Sequence, residues 1–185
     1  MIFDWDDHAE TNNAMPHMLR LKEINPAFRA TLFSVPGLGS ETFWRSHPSW
    51  IEIAWHGWEH NDAYECLEWD AKVFDDYLDH PILQCSPCKL WKAPGWQINM
   101  DIYRVLLDRG WAVADQHLED DRRPIGLPTY FYEDGDDRWH GHVHDVCGNG
   151  LEERWFEVCD MVRDADEFLF ASEATVVWNP MKVAA

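Results

Sequence analysis

Basic residues are scarce in this chain. Lys and Arg number 15 against 34 Asp and Glu, for a formal net charge of -19. A surface that acidic repels phosphate backbones and anionic lipid, which argues against nucleic-acid and membrane-surface binding. Long apolar runs are missing as well. Nothing approaches the roughly 18 consecutive apolar residues of a membrane-spanning helix. The start, Met1 to His8, carries neither a basic nor an apolar leader segment, so a cytoplasmic location is expected. Cysteine is sparse and odd in number: five residues in a chain of 185. A chain of that length builds its own core, so no disulfide framework is needed and reduced thiols are expected. Cys85-Ser86-Pro87-Cys88 has no second CxxC to pair with, and it reads as structural rather than as a zinc knuckle or redox pair. No repeat, linker or low-complexity tract divides the sequence, and residues 1–185 read as one domain.

What the chain has in excess is Trp, with 12 residues, and His, with 10. So many indoles in one small domain imply a large core, a sugar-stacking cleft, or both. Short apolar runs alternate with amphipathic stretches. Strands are expected at Met1–Trp5, Arg29–Val35, Trp50–Trp55, Lys89–Trp91, Trp111–Ala114, Leu127–Tyr132, Arg138–Val143 and Thr175–Trp178. Helices are expected at Thr11–Ile24, from Glu41 behind a Ser40 cap, and at Asp62–Leu78, Met100–Asp108 and Leu151–Val162. This alternation predicts an α/β fold with a mostly parallel sheet, and the strand count suits a barrel.

In such barrels the chemistry gathers at the C-terminal ends of the strands. Reactive residues here do follow the strands: Asp6, Asp7 and His8 the first, His56 and His60 the third, Lys92, Pro94 and Trp96 the fourth, Asp115 and His117 the fifth. His140, His142 and His144 lie on or after a later one. His56-Gly57-Trp58-Glu59-His60 offers two imidazoles able to grip one divalent ion of zinc type. Asp6-Asp7 offers two carboxylates, one to bind the ion and one to take a proton from water that the ion has acidified. Either motif alone is commonly a surface feature; their joint placement after the first and third strands points to a site.

Trp5-Asp6-Asp7-His8, Ala30-Thr31-Leu32-Phe33-Ser34-Val35-Pro36-Gly37, the segment Trp50 to His60, and Trp91-Lys92-Ala93-Pro94-Gly95-Trp96 together resemble the polysaccharide deacetylase family, the NodB-homology or carbohydrate esterase 4-like group. The resemblance covers residues 1 to about 145 and implies a distorted (β/α) barrel that hydrolyses an N-acetyl group from a sugar with one divalent ion, Zn²⁺ by preference. Carried over, it makes Asp6 the general base, Asp7 with His56 and His60 the metal ligands, and a late histidine the general acid. On a strand His140, His142 and His144 share one face, and His142 is favoured narrowly over His140. Asp115 resembles the aspartate that orients this histidine, and Lys92 stands where the family has an arginine on the base. Trp58, Pro94 and Trp96 flank the ligands as candidate substrate contacts.

Three departures mark a divergent member. Lys92 lacks the bidentate fork of arginine. His8 replaces a glycine, and Asp4 adds a carboxylate that competes with Asp6 for the role of base. The acidic charge suits a small-molecule or neutral carbohydrate substrate better than an anionic wall polymer. Two other readings stay open on sequence: a metal-containing carbohydrate-binding protein with reduced turnover, and a hydrolase of the same fold acting on a non-sugar amide.

Overall fold

Alternation along the strands decides which residues meet. The computed structural model describes residues 1–116, 122–131, 137–144 and 150–179. His117, Tyr132, residues 133–136 of the acidic turn, Cys147, Gly148 and Asn149 lie outside the described residues. The elements are β1 (Ile2–His8), α1 (Met15–Ile24), β2 (Ala30–Ser34), α2 (Glu41–Arg45), β3 (Ile51–His56), α3 (Ala71–Leu78), β4 (Leu90–Lys92), α4 (Met100–Asp108), β5 (Ala112–Asp115), β6 (Pro128–Phe131), β7 (Arg138–His142), α5 (Trp155–Asp164) and β8 (Val176–Val177). The strands form one sheet in the order β7-β1-β2-β3-β4-β5-β6-β8. Every pairing is parallel except that of β6 with β8. The sheet curls into the distorted barrel expected from the sequence.

One set of strand residues, Phe3, Trp5, Leu32, Ile53, Trp55, Trp91, Val113 and Trp139, packs with Met18 and Leu21 of α1, Phe74 and Leu78 of α3, Ile102 and Leu106 of α4, and Val158 and Val162 of α5. The alternate set, Ile2, Phe33, Ala54, Leu90, Ala114 and Tyr130, forms a smaller cluster. The same alternation puts Asp4, Asp6, His56, Lys92, His140 and His142 in that second register. Most of the tryptophan is core: Trp5, Trp44, Trp55, Trp91, Trp111, Trp139 and Trp178 are buried, and Trp55 stacks on Phe74 with centroids 5.1 Å apart.

Three helices start later than the periodicity predicts. Asp70 accepts from the Val73 backbone N–H at 2.9 Å and caps α3 there, while residues 65–68 form a single 3₁₀ turn. Trp69 is extended, which lays its ring on Trp55 and Phe74. α1 begins at Met15 because Asn12 is engaged elsewhere: its amide donates to the Asp7 carbonyl at 2.8 Å. Likewise α5 opens at Trp155, after a turn over residues 151–154. No described helix is long and apolar enough to cross a membrane.

Asn99 ties two elements together. Its Oδ1 caps α4 by accepting from Asp101 and Ile102, and its amide donates to the Trp69 carbonyl at 2.8 Å. We expect Asn99→Ala to cost about 2 kcal/mol, read as a lower urea midpoint at unchanged slope. A loss under about 0.5 kcal/mol, the scale of an ordinary surface substitution, would contradict this account.

Candidate active site

A regular strand would send Asp6 to one side of the sheet and Asp7 to the other. The structure avoids this with a bulge. Trp5 pairs with Leu32 and His8 with Ser34, so three steps along β1 match two along β2. Asp7 takes up the extra residue at φ 66°, a left-handed conformation that costs a non-glycine residue on the order of 1 kcal/mol. Both carboxylates thereby reach the same cleft at the C-terminal ends of β1, β3, β4 and β7.

The His56–His60 segment folds back by a similar device. Gly57 sits at φ 55° with Pro94 packed against it, so close that a Cβ there would stand 2.7 Å from Pro94 Cγ. His60 follows at φ 53°, and the two imidazole centroids come within 4.8 Å. Asp7 Oδ1 lies 3.6 Å from His56 Nε2 and 3.2 Å from His60 Nε2. His56 Nδ1 lies 3.1 Å from the Lys92 carbonyl, to which it donates, so Nε2 is the ring atom that faces the carboxylates. Two imidazole nitrogens and one carboxylate oxygen within 4.8 Å of one another are a donor set of zinc type. The charge balance fits as well: with the histidines neutral, three buried carboxylates, Asp4, Asp6 and Asp7, stand against one ammonium, Lys92, which meets Asp6 and Asp4, and one divalent cation cancels the formal excess.

Asp6 faces Lys92, whose Nζ donates at 2.7 Å. Burial alone would raise the Asp6 pKa, but Lys92, with His140 and His56, outweighs it and holds Asp6 at about 2. Asp7 is likewise held well below the carboxylate range, since hydrogen bonds from His142 and His56 overcome its burial. His56 moves the other way. Burial opposes its imidazolium, yet Asp6 and Asp7 raise its pKa, which expresses the pull of this pocket for a cation. Lys92 Nζ also lies 4.0 Å over the half-buried Trp96 ring, where Gly95 and Trp96 turn at φ 55° and 60°.

The late histidines separate. His142 Nδ1 lies 2.7 Å from Asp7 Oδ2, at the rim of the cleft. His140 is buried deeper, with Nδ1 2.6 Å from Asp4 Oδ1. His144 is exposed, 3.9 Å from the same Asp7 oxygen and bonded to Asn12. Asp115 goes elsewhere: it accepts from the Tyr103 hydroxyl at 2.6 Å and lies 3.7 Å from Arg123 Nε, so the carboxylates bonded to late histidines are Asp4 and Asp7. Trp58 is also drawn off, stacked on Tyr77 with centroids 4.3 Å apart and set edge-on to His80. Pro94 is buried as the support of Gly57. Cys85 and Cys88 join no candidate metal group among the described residues, and burial raises both thiols. Sequence patterning did not single out Tyr130, whose hydroxyl donates to Asp4 at 2.9 Å. Only the register of distant strands brings them together.

No family model and no curated protein sequence matches the chain. Solved structures do. The chain resembles the Xyl-CE4 domain of a multidomain xylanase from the hindgut metagenome of Trinervitermes trinervoides, with 14% identity over 96% of this chain and 94% of that one and a TM-score of 0.58. A family 4 acetyl xylan esterase from Clostridium thermocellum, in complex with a cobalt ion, is 11% identical over 94% of this chain and 88% of its own, with a TM-score of 0.61. A T48 deacetylase solved with substrate is 11% identical over 97% and 93%, with a TM-score of 0.56. Likeness at such identities is likeness of fold. The chain has the distorted barrel of the polysaccharide deacetylase, carbohydrate esterase 4 type.

His8 turns away from the cleft. Its Nδ1 accepts from the Ala14 N–H at 3.2 Å and its Nε2 meets His47 Nε2 at 2.8 Å. Burial, reinforced by His47, lowers the His8 pKa from 6.5 to about 3. A depressed pKa means stability that is complete above pH 6.5 and drains away as pH falls toward 3. Melting temperature of the wild type should therefore drop over that window, and His8→Gln should flatten the drop. Parallel curves for the two proteins would refute this role.

Proposed function

We propose that the protein is a metal-dependent hydrolase that removes an N-acetyl group from a carbohydrate or sugar-containing small molecule. The observation that carries this reading is the Asp6–Lys92 pair, bonded at 2.7 Å directly beside the Asp7, His56 and His60 donor set. The solved structures of this fold include a family 4 acetyl xylan esterase and a deacetylase by name, which supports the same class of chemistry.

Asp7, His56 and His60 would hold the ion, with Zn²⁺ the natural occupant of a nitrogen and oxygen set. Such an ion supplies Lewis acidity at the acyl oxygen and lowers the pKa of water. The chain's own residues do the rest. Asp6, kept ionised by Lys92, takes the proton of the attacking water. His142, held through Nδ1 by Asp7, offers its other nitrogen to the leaving amine. Trp96 presents an aromatic surface beside Lys92 for a sugar ring. Three buried carboxylates and a net charge of -19 select against an anionic polymer and for a neutral acetylated sugar.

Acetate release from zinc-loaded protein tests this, over a panel of N-acetylglucosamine oligomers, N-acetyl amino sugars and small acetamides. The wild type should act on an acetylated sugar. Asp6→Asn and His142→Ala should each lower kcat by about 10²- to 10⁴-fold. Full activity in both variants would overturn the assigned roles; activity confined to the small acetamides would replace the sugar by a non-sugar amide.

A further inference from the structure

One buried pair stands below the proposed metal ligands. Asp4 and His140 face each other in register across β1 and β7, one pleat beneath the Asp6 and His142 pair. Asp4 is 1% exposed and His140 7%. His140 Nδ1 donates to Asp4 Oδ1 at 2.6 Å, and the Tyr130 hydroxyl donates to Asp4 Oδ2 at 2.9 Å. Among the described residues Asp6, His140 and His142 form a second group of possible ligands, and Asp4 belongs neither to it nor to the Asp7, His56 and His60 set. A carboxylate buried in a barrel interior is costly even when its oxygens are satisfied, and an apolar residue there would avoid the cost.

The far edge of the imidazole shows what the pair reaches. His140 Nε2 lies 3.6 Å from Asp6 Oδ2, and Lys92 Nζ rests against the ring, 3.4 Å from Nε2 and 3.5 Å from Nδ1. Lys92 is a compact point charge on a flexible stem, and a point charge does not fix the plane of a carboxylate. A ring wedged against both groups does, provided the ring itself cannot turn. Asp4 and Tyr130 prevent that rotation from the other side, and Trp96 lies 6.0 Å away on the cleft side.

We infer that Asp4 is a positioning residue that acts through His140 to hold Asp6 and Lys92 in the geometry of proton transfer. This rests on the deacetylase reading. Asp4 touches no reacting atom; its hydrogen bond holds the ring that abuts the base, and at 4.0 Å from Lys92 Nζ it adds a weaker direct pull on the ammonium.

The test is steady-state kinetics on the zinc-loaded protein, with the acetylated sugar that the wild type hydrolyses. Asp4→Ala and His140→Ala should each lower kcat by about 10- to 100-fold, the usual effect of losing an outer-shell partner. KM and zinc content should stay as in the wild type. The double variant should lose no more than the worse single one, because both remove the same coupling. Asp4→Asn keeps an oxygen for the Nδ1–H and should recover most of the rate. If Asp4→Ala does not fold, Tyr130→Phe carries the same test with a smaller loss of kcat. Losses that multiply in the double variant, an unchanged kcat in folded variants, or zinc lost along with activity would overturn the inference. A wild type that releases no acetate from any member of the panel overturns the deacetylase reading instead, and this inference with it.

Discussion

Among the described residues Lys92 carries the one buried ammonium, and it sits beside two of the three carboxylates of β1. Its Nζ touches Asp6 at 2.7 Å, stands 4.0 Å from Asp4, and rests over Trp96 and Phe33. Burying three carboxylates on one short strand is tolerable only where cations and donors meet each of them. Lys92 and His140 flank Asp6, His140 and Tyr130 satisfy Asp4, and His56, His60 and His142 surround Asp7. The curl of the sheet makes this possible. It brings β1, β3, β4, β6 and β7 to face a common interior, so that residues far apart in sequence become each other's counter-charges.

Local backbone strain completes the arrangement. Asp7, His60 and Trp96 are the non-glycine residues at positive φ among those described, and all three lie at the cleft. Each turns a side chain that ideal geometry would have sent elsewhere. Gly57 does the same between the two histidines, under Pro94. Strain concentrated at one place, while the surrounding core of stacked Trp and Phe stays regular, is the pattern of a site held in shape by a rigid scaffold. The solved structures that share this fold are only 11% to 14% identical to the chain, so the scaffold is what is shared.

Much of this was legible in the sequence, for identifiable reasons. Strand and helix alternate with clear periods, and Gly110 closes α4 where a glycine stop is expected. Asp6, Asp7, His56, His60 and Lys92 stood out because each follows a strand, and the structure brings all five together. α3 starts later than expected because Tyr64 and Leu67 keep helical spacing with Val73, Phe74 and Tyr77, whereas the Asp70 cap decides the boundary. Asp115 and Trp58 were placed by analogy of position, and their side chains follow local partners instead, Tyr103 and Tyr77. The Asp4–His140–Tyr130 chain was invisible to pattern reading. It depends on the register of β1 against β7 and on the reach of a β6 tyrosine across the barrel, neither of which one sequence encodes locally.

The account turns on a cation-binding site built from Asp7, His56 and His60. The most direct measurement is metal content by mass spectrometry on the purified protein after exposure to zinc, for the wild type and for His56→Ala/His60→Ala. About one equivalent in the wild type and none in the variant is the expected result for a three-ligand site. No metal in either protein, or the same amount in both, would contradict the account and leave these histidines as structural members of the barrel.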